Sequence, residues 1–404
     1  MRRWPLGCRP NPPIRQRGLG LFSPEGPRLS KDARRVPQAD VDARLVPGRT
    51  RLKEEKRRPP TVPRAPSRGN ILNIADRGAL VQFDSWLRWR CALRRPGRRI
   101  WGAVSGQEVE HEPVLSAEVA DLLNPRPGRI VLDGTVGLGG HAAVLLPRII
   151  PGGRYVGIDV DAAMLAAARQ RFAADAPISF SAANYAEFAD VLAAERIERV
   201  DYALLDLGVN SAQLSDQQRG FSFVRDGPLD MRFDQRTRQN AADLVNSLPE
   251  GKLADLFYEY GQETRSRKIA KRICKLRHEQ RIATTRALAL AVESAIGGRG
   301  ASRLHGATRV FQALRIAVNR ELENLAAFLP RIVERLSVGG RLAVISFHSL
   351  EDGIVKRFLR EARKRGRMRE LTKRPVVPER AETRSNPRSR SAKLRVAERI
   401  ESCG

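Results

Sequence analysis

The stretch DGTVGLGGH, residues 133–141, decides the fold, because a glycine-rich turn here follows a short apolar run. The run RIVLD at 129–133 has the Val, Ile and Leu content of a buried strand. Glycine lacks a Cβ, so the backbone turns tightly and passes close to a ligand. A helix beginning behind the turn offers unpaired N–H groups and the positive end of its dipole. The motif therefore predicts a strand, a ligand-binding turn and a helix at the carboxyl edge of a parallel sheet.

The alternation of strand and helix continues beyond this motif. Apolar runs predict further strands at 154–160, 178–182 and 202–206, and helical stretches around 141–150, 161–173 and 186–195 separate them. Strands and helices alternating at this spacing predict an α/β domain with a doubly wound, Rossmann-like parallel sheet.

The alternation stops between residues 216 and 305. A polar, Arg-rich loop at 219–240 precedes amphipathic helical stretches at 249–259, 263–278 and 284–296. A long helical stretch at 308–328 and strands at 341–348 and 393–399 then resume the earlier pattern. We predict one domain made of residues 109–215 and 306–404, with a helical domain, residues 216–305, inserted after its fourth strand.

The formal net charge of +28 lies at the two ends of the chain. Residues 1–108 carry 25 Lys and Arg against 9 Asp and Glu, and residues 356–404 carry 17 against 6. The stretch between them is nearly neutral, with 31 against 30. Basic ends attract polyanions by releasing counterions, which favours nucleic acid as a partner; a GC-rich coding sequence is the competing explanation.

Residues 1–108 are rich in Pro, Gly and Arg and show no sustained apolar period, so we predict that they are mostly disordered. Three interpretations compete: an RNA-binding arm, an organelle-targeting leader, and an extension from a start codon assigned too far upstream. We favour the third, because recognisable pattern begins abruptly near Val109.

The cysteines and histidines argue against a metal site or a disulfide framework. Four cysteines are scattered without paired spacing, and five histidines are equally dispersed. No apolar run approaches the roughly 18 residues of a membrane span, and the first 30 residues lack the apolar core of a secretory signal. These features predict a cytoplasmic protein without metal and without a membrane anchor.

Acidic residues at three strand ends make the glycine signal more specific. Asp133 precedes the glycines, Asp159 follows Gly137 by 22 residues, and Asp206 ends the fourth strand. An acid in the position of Asp159 can accept both hydroxyls of a ribose. A dehydrogenase would more often show a bare G-x-G-x-x-G around a pyrophosphate, whereas S-adenosylmethionine has none. The pattern predicts S-adenosyl-L-methionine as the cofactor.

Long motifs add a resemblance to one family. They are HEPVL at 111–115, DGTVGLGGH at 133–141, LLDLGVNSAQL at 204–214, RGFSFVRDGPLDMR at 219–232, ATRVFQALRIAVN at 307–319, GGRLAVISFHSLED at 339–352 and NPRSRSAKLRVAER at 386–399. With these motifs in this order, the chain resembles the RsmH (MraW) ribosomal RNA methyltransferases. The resemblance implies a class I methyltransferase domain with an inserted helical domain, and methylation of the N4 exocyclic amine of a cytidine in the decoding centre (P site) of 16S rRNA.

The resemblance also implies a set of cofactor-binding residues. Tyr185 stands where the family commonly has Phe, and Val136, Asn210, Ala212 and Gly306 are further departures, which put loop detail in doubt. The residues carried over as cofactor-binding are Gly139, Gly140, His141, Asp159, Tyr185, Asp206 and Gln213.

Asp206 and His348 are the candidates for catalysis. A cytosine amine is a poor nucleophile, because its lone pair is delocalised, so acceptors for its protons should help; Asp206 is our candidate. Orientation of the cofactor alone is the competing role, and the more frequent one. His348, with Ser346 and Ser349, follows the fifth strand, although a lone His there is more often structural. An attack at an exocyclic nitrogen needs no covalent cysteine.

Several further residues are candidates for substrate contact. We predict that Phe221 and Phe223 form an aromatic wall for an unstacked base. The central loop is predicted to act as a lid over the substrate, with Asp226, Asp230 and Arg232 as its candidate residues. Near the C-terminus, Asn386, Arg388 and Arg390 are predicted to hold phosphate or the tail.

The predicted partner is 16S rRNA within the small ribosomal subunit. A homodimer and the choice between free rRNA and an assembled particle are left open. Two other function classes compete: a methyltransferase acting on DNA or protein, and a non-catalytic ribosome assembly factor that retains the cofactor pocket. Intact Asp133, Gly139, Asp159 and Asp206 argue against the last of these.

Overall fold

The computed structural model describes residues 113–297 and 305–401, and the extension predicted over residues 1–108 lies outside these ranges. Within them the chain forms a seven-stranded sheet in the order β3-β2-β1-β4-β5-β7-β6. Strands β1 to β5 are parallel, and β7 runs antiparallel to both β5 and β6. The strands are β1 (Ile130–Asp133), β2 (Arg154–Asp159), β3 (Ile178–Ala182), β4 (Val200–Asp206), β5 (Leu336–Ser346), β6 (Met368–Glu370) and β7 (Lys393–Arg399).

Helices cover both faces of this sheet, because neighbouring strand residues point to opposite sides. Val131 and Leu204 belong to one buried cluster, and Leu132 and Leu205 belong to the other. The first face is covered by α1 (Ser116–Leu123), α2 (Gly140–Ile149) and α3 (Ala162–Arg169). The second is covered by α4 (Phe188–Ala194), α11 (Glu321–Arg335) and α12 (Ser349–Lys364). This is the doubly wound α/β class that the sequence predicts.

A separate helical layer has its own hydrophobic core, which includes Phe221, Phe257, Ile273, Leu288 and Phe311. None of the helices in the described ranges is long and apolar enough to cross a membrane. The layer consists of α6 (Ala241–Ser247), α7 (Glu250–Glu259), α8 (Ser266–Glu279), α9 (Thr285–Ile296) and α10 (Thr308–Asn319); two short helices lie elsewhere, α5 (Ser211–Ser215) and α13 (Arg380–Ser385).

The helix predicted over 308–328 is wrong, because the chain breaks at Arg320 into α10 and α11. Arg320 adopts φ 51° and ψ 40°, in the left-handed region. Helix α10 packs in the helical layer, whereas α11 packs on the sheet. The domain boundary at residues 305 and 306 stays a prediction; the packing of α10 favours a boundary at the α10–α11 junction.

Two neighbouring aromatic residues on α7 provide a test of the helical core, because one is buried in it and the other is exposed. Phe257 is 0% exposed and Tyr258 is 62% exposed. We expect Phe257→Ala to lower the free energy of unfolding by about 3–5 kcal/mol, because it leaves a cavity in the core. Tyr258→Ala should change it by less than about 0.5 kcal/mol. Urea denaturation measures both, and equal effects would contradict the assigned core.

Candidate functional site

A cavity of about 440 Å³ lies at the carboxyl ends of β1, β2 and β4, where ligands bind in open parallel sheets. Its volume falls within the usual range for small-ligand sites. The sheet contributes the β1–α2 turn and the ends of β2 and β4. The helical layer contributes residues 233–237 and 318–320, and the C-terminal region contributes Asn386 and Arg388. The cavity is therefore built by both layers.

The glycine turn is fixed to the end of β2. The N–H of Gly137 donates to Oδ2 of Asp159 at 2.8 Å, and Gly137 has φ 51°. Gly137, Gly140 and His141 line the cavity. Gly139 does not: it has φ 78°, and a Cβ there would lie 2.8 Å from Cε2 of Phe172. Gly139 serves the turn, and its cofactor contact stays a prediction.

Asp159 lines the cavity and also organises the backbone around it. Its Oδ1 accepts the N–H of Asp161 at 2.9 Å, while Oδ2 accepts that of Gly137. Burial raises the pKa of Asp159 to about 7, although these two backbone bonds oppose the rise. Each carboxylate oxygen has a second lone pair, so both can still accept a hydroxyl of a ligand.

Asp133 is buried beneath the turn and does not line the cavity. The hydroxyl of Tyr155 donates to its Oδ2 at 2.7 Å, and the N–H of Thr135 donates to Oδ1 at 3.0 Å. Burial raises the pKa of Asp133 to about 6, against the effects of His141 and these hydrogen bonds. Asp133 therefore supports the turn from behind.

Asp206 and His141 face each other in the cavity. Their Oδ2 and Nε2 atoms are 3.4 Å apart, and the N–H of Asp206 donates to Oγ1 of Thr135 at 2.6 Å. Within the described residues, Oδ1 of Asp206 and Nδ1 of His141 are buried without a hydrogen-bond partner. Burial alone would lower the pKa of His141, but Asp206 outweighs it and raises the pKa. Unpartnered polar atoms here fit a polar ligand.

Tyr185 lies in a 3₁₀ turn, Tyr185–Glu187, that follows β3. Its ring packs edge-on against Phe328 at 5.6 Å, and its hydroxyl donates to the carbonyl of Glu321 at 3.3 Å. Tyr185 lines the cavity, and the hydrogen bond fixes its ring there. An aromatic wall in a fixed orientation suits a flat heterocycle.

Gln213 is buried with both ends of its amide engaged. Its Oε1 accepts the N–H of Asn210 at 3.1 Å, and its Nε2 donates to Asp161 at 2.9 Å. It lines the cavity, so ligand contact stays a prediction. The sequence analysis missed Asp161, which also pairs with Arg219 at 2.7 Å. Its place at the start of α3, as a helix N-cap, was the available signal.

His348 begins α12 and does not line the cavity. Its Nδ1 accepts the N–H of Glu351 at 3.3 Å, and its Nε2 lies 3.1 Å from Oε1 of Glu351. The hydroxyl of Ser346 donates to the carbonyl of Lys393, and the hydroxyl of Ser349 donates to Oε1 of Gln262. These contacts give His348 a structural role as the helix cap; a catalytic role stays a prediction that they do not favour.

Three potential metal ligands, Glu321, His348 and Glu351, place one atom each within 4.8 Å of one another. Arg315 pairs with both oxygens of Glu321 at 2.9 Å. The pKa of Glu321 is raised by burial and that of Glu351 is lowered by His348 despite burial. Arg315 therefore supplies positive charge beside Glu321.

The aromatic wall predicted at Phe221 and Phe223 is wrong. Phe221 is 8% exposed in the helical core, and Phe223 packs against His305 and Phe311 in the same layer. Phe233 and Phe347 line the cavity instead. The prediction failed because the polar sequence of residues 219–232 does not indicate that the aromatic residues of this loop pack into the helical core.

The central loop is held by its own charged residues. Arg232 pairs with Asp230 at 2.7 Å and donates to the carbonyls of Gln235 and Thr237. Asp226 accepts the N–H of Arg286 at 3.0 Å, at the start of α9. These residues shape the segment 233–237 that borders the cavity, and the role of the loop as a lid stays a prediction.

The sheet order and the acidic, glycine-turned cavity at its carboxyl edge define a class I methyltransferase that uses S-adenosyl-L-methionine. The family model described as the MraW methylase family matches residues 108–400. The chain belongs to this family.

Two curated relatives show how closely the chain follows the family. "Ribosomal RNA small subunit methyltransferase H" of Coprothermobacter proteolyticus is 48% identical over 288 residues, which are 71% of this chain and 95% of that protein. The protein of the same name from Cyanothece sp. is 48% identical over 295 residues, 73% and 96% of the two chains. An rRNA methylase structure from Streptococcus thermophilus has a TM-score of 0.34 at 12% identity, covering 71% and 94%. That score is too low to support the fold, which rests on the sheet and the family.

Removing the carboxylate of Asp159 should weaken cofactor binding. An acceptor for two ribose hydroxyls contributes ~1.5–3 kcal/mol, so we expect Asp159→Ala to raise the Kd for S-adenosylmethionine by at least about tenfold. The matched control is Asp190→Ala, an exposed carboxylate on α4. Isothermal titration calorimetry measures both, and an unchanged Kd for Asp159→Ala would mean that the ribose binds elsewhere.

Asp133 should make the stability of the ligand-free protein depend on pH. Because its folded pKa of about 6 exceeds its ordinary value of 3.8, the folded state binds the proton more tightly. Its contribution to stability is present at low pH and is lost as pH rises toward about 6 and above. The free energy of unfolding should fall by up to about 1.4 kcal/mol per pH unit in this window.

The near-isosteric variant Asp133→Asn isolates this contribution from those of other groups. We expect the stability difference between Asp133→Asn and the unmodified chain to grow in favour of the variant from pH 4 to pH 6. Urea denaturation at each pH provides the measurement. Parallel pH profiles for the two proteins would show that Asp133 has no raised pKa.

Proposed function

We propose that this chain transfers the methyl group of S-adenosylmethionine to the N4 amine of a cytidine in the decoding centre (P site) of small-subunit rRNA. The carrying observation is an acid-lined cavity, shared by a methyltransferase sheet and a helical layer, in a chain 48% identical to a protein named for small-subunit rRNA methylation. The substrate would be the 16S rRNA of the small ribosomal subunit.

The residues that line the cavity fit S-adenosylmethionine. Asp159 would accept the ribose hydroxyls, and Tyr185 would pack against the adenine, since its ring is already fixed at the cavity wall. The unpartnered Oδ1 of Asp206 suits the positive end of the ligand. When bound, S-adenosylmethionine supplies an activated methyl group on a positively charged sulfur, a good leaving group.

The remaining task of the protein is to position the amine and receive its proton. Holding the two reactants in line accounts for most of such an acceleration. The oxygens of Asp206 lie beside the cofactor site and can accept hydrogen bonds from the amine, which favours pyramidal nitrogen. His141, 3.4 Å from Asp206, fixes the direction of that carboxylate. Among the described residues the one cysteine is Cys274, which is buried in the helical core and takes no part in the proposed methyl transfer.

The target base must leave its stack to reach this cavity. Phe233 and Phe347 line it from the helical layer and from the end of β5. Aromatic rings bind the faces of unpaired bases and contribute about 1–3 kcal/mol per base. These two residues replace Phe221 and Phe223 as candidates for the base-stacking wall.

Nucleoside mass spectrometry of small-subunit rRNA tests the proposal directly. We expect N4-methylated cytidine to disappear when the gene is deleted and to return when the unmodified gene is supplied. Asp206→Asn should fail to restore it at equal expression, because the carboxylate is needed at the reacting end of the cavity.

The same experiment separates the proposal from its rivals. An rRNA nucleoside profile that deletion leaves unchanged would contradict rRNA methylation. Full restoration by Asp206→Asn would contradict the assigned role of Asp206. A ribosome assembly defect that Asp206→Asn repairs without restoring methylation would instead indicate an additional, non-catalytic role.

A further inference from the structure

Opposite charges occupy different parts of the cavity. Asp159, Asp206 and Glu351 lie on its sheet side and are partly or fully buried. Arg320 and Arg388 also line the cavity, but both are exposed to solvent. A residue that is exposed and lines a cavity stands at its mouth. The interior is therefore acidic, and the mouth carries arginines.

These two arginines come from segments distant in sequence. Arg320 joins α10 to α11, where the helical layer meets the sheet. Arg388 lies in the C-terminal 3₁₀ segment Pro387–Ser391. A third lining arginine, Arg236, pairs with Asp234 at 2.9 Å, so its charge is compensated. The fold thus places both groups at one cavity, although the sequence had indicated phosphate binding for Arg388 alone.

The guanidinium groups of Arg320 and Arg388 have no hydrogen-bond or ion-pair partner among the residues that the structure describes. This sets them apart from Arg219, Arg232 and Arg315, which each pair with an acid near the cavity. Unpaired guanidinium groups at a cavity mouth attract anions, and their planar fork matches the oxygens of a phosphate.

The backbone of Arg320 fixes where its side chain begins. Its φ of 51° and ψ of 40° are costly for any residue with a Cβ, and Asn or Gly would adopt them more readily. Arg196 has a similar φ of 56° outside the cavity, so this conformation marks a helix end and is not itself evidence of a binding site. At Arg320 it ends α10, begins α11 and holds an arginine at the cavity mouth.

We propose that Arg320 and Arg388 bind backbone phosphates of the RNA next to the target nucleotide. This inference rests on the proposed function, since it takes RNA as the substrate. Phosphate contacts carry no base information, but they set the position and register of the nucleic acid. Both arginines are therefore positioning residues, which present the base to the cavity while the acids inside repel the phosphates.

The chain contains a matched control for each arginine. Arg390 lies in the same 3₁₀ segment as Arg388, and the phosphate contact predicted for it from the sequence is not favoured, because it does not line the cavity. Arg196 follows α4 with φ 56°. Both controls are exposed and neither lines the cavity. Like those of the two test residues, their guanidinium groups have no partner among the described residues. Each pair therefore differs mainly in its position relative to the cavity.

The test compares Arg320→Asn and Arg388→Gln with Arg196→Asn and Arg390→Gln in the full chain. Small ribosomal subunits from cells lacking the gene serve as the substrate. We expect each test variant to raise KM for the subunit about two- to tenfold, in line with partly exposed charge-assisted contacts. The kcat and the Kd for S-adenosylmethionine should stay unchanged. The control variants should match the unmodified enzyme.

Salt dependence provides a readout that a purely structural role would not change. Each lost phosphate contact should reduce the slope of log kcat/KM against log salt concentration by about 0.7–0.9. Asn at position 320 suits the left-handed backbone, so the thermal unfolding temperature of Arg320→Asn should not fall. Arg388→Lys should restore part of the activity, because it retains the charge.

Several outcomes would overturn the inference. If Arg388→Gln and Arg390→Gln lose activity equally, the tail acts as diffuse charge without a defined contact. If Arg320→Asn behaves like Arg196→Asn, position 320 does not touch phosphate. If the unmodified enzyme is active and all four variants match it, the phosphate contacts are contradicted but the proposed function is not. If the unmodified enzyme does not methylate the subunit, the proposed function fails, and this inference falls with it.

Discussion

Carboxylates buried at the ends of parallel strands are the constraint on which this site depends. A buried charge is unfavourable unless hydrogen bonds or an opposite charge offset its lost hydration. Asp133 receives the hydroxyl of Tyr155 and Asp159 receives two backbone N–H groups, yet burial still raises their pKa values to about 6 and about 7. Asp206 retains an oxygen with no partner among the described residues. A cationic ligand with donor hydroxyls would offset part of the remaining cost of burying these carboxyl groups.

The cavity also depends on polar links between the sheet layer and the helical layer. Asp161, at the start of α3, pairs with Arg219 of the inserted segment. Glu321 of α11 pairs with Arg315 of α10, and Ser349 of α12 donates to Gln262. Partly buried ion pairs are weak sources of stability but define orientation, because other arrangements leave a charge unpaired. The helical layer is therefore part of the binding site.

The sequence predicts the sheet well, because buried strands carry a dense Val, Ile and Leu signal that depends little on distant contacts. Strands β3 and β7 have the predicted bounds, and β1, β2 and β4 differ by one or two residues at an end. The strand predicted at 341–348 is instead Leu336–Ser346, and the short strand Met368–Glu370 was not predicted. The 308–328 helix was misjudged because its amphipathic pattern continues through Arg320, and only the backbone conformation there reveals the break. Phe221 and Phe223 were misplaced for a related reason: tertiary packing decides which aromatic residues of a polar loop become core. The strand-end acids were accessible to sequence reasoning, whereas the pairing of Asp161 with Arg219 joins segments that are distant in sequence.

The separation of charge in the cavity limits which part of a nucleotide can enter it. The interior carries the carboxyl groups of Asp159, Asp206 and Glu351, so a phosphate that entered it would lose hydration without a positive side chain to offset the cost. An uncharged nucleobase meets no such penalty, and the free Oδ1 of Asp206 can accept a hydrogen bond from it. The arginines at the mouth favour the opposite component, since exposed guanidinium groups attract the phosphate backbone. An acidic interior under a basic mouth would thus orient a nucleotide with its base inward, before any base-specific contact is made. The acids proposed to hold the cationic cofactor would therefore also exclude the phosphate backbone of an RNA substrate.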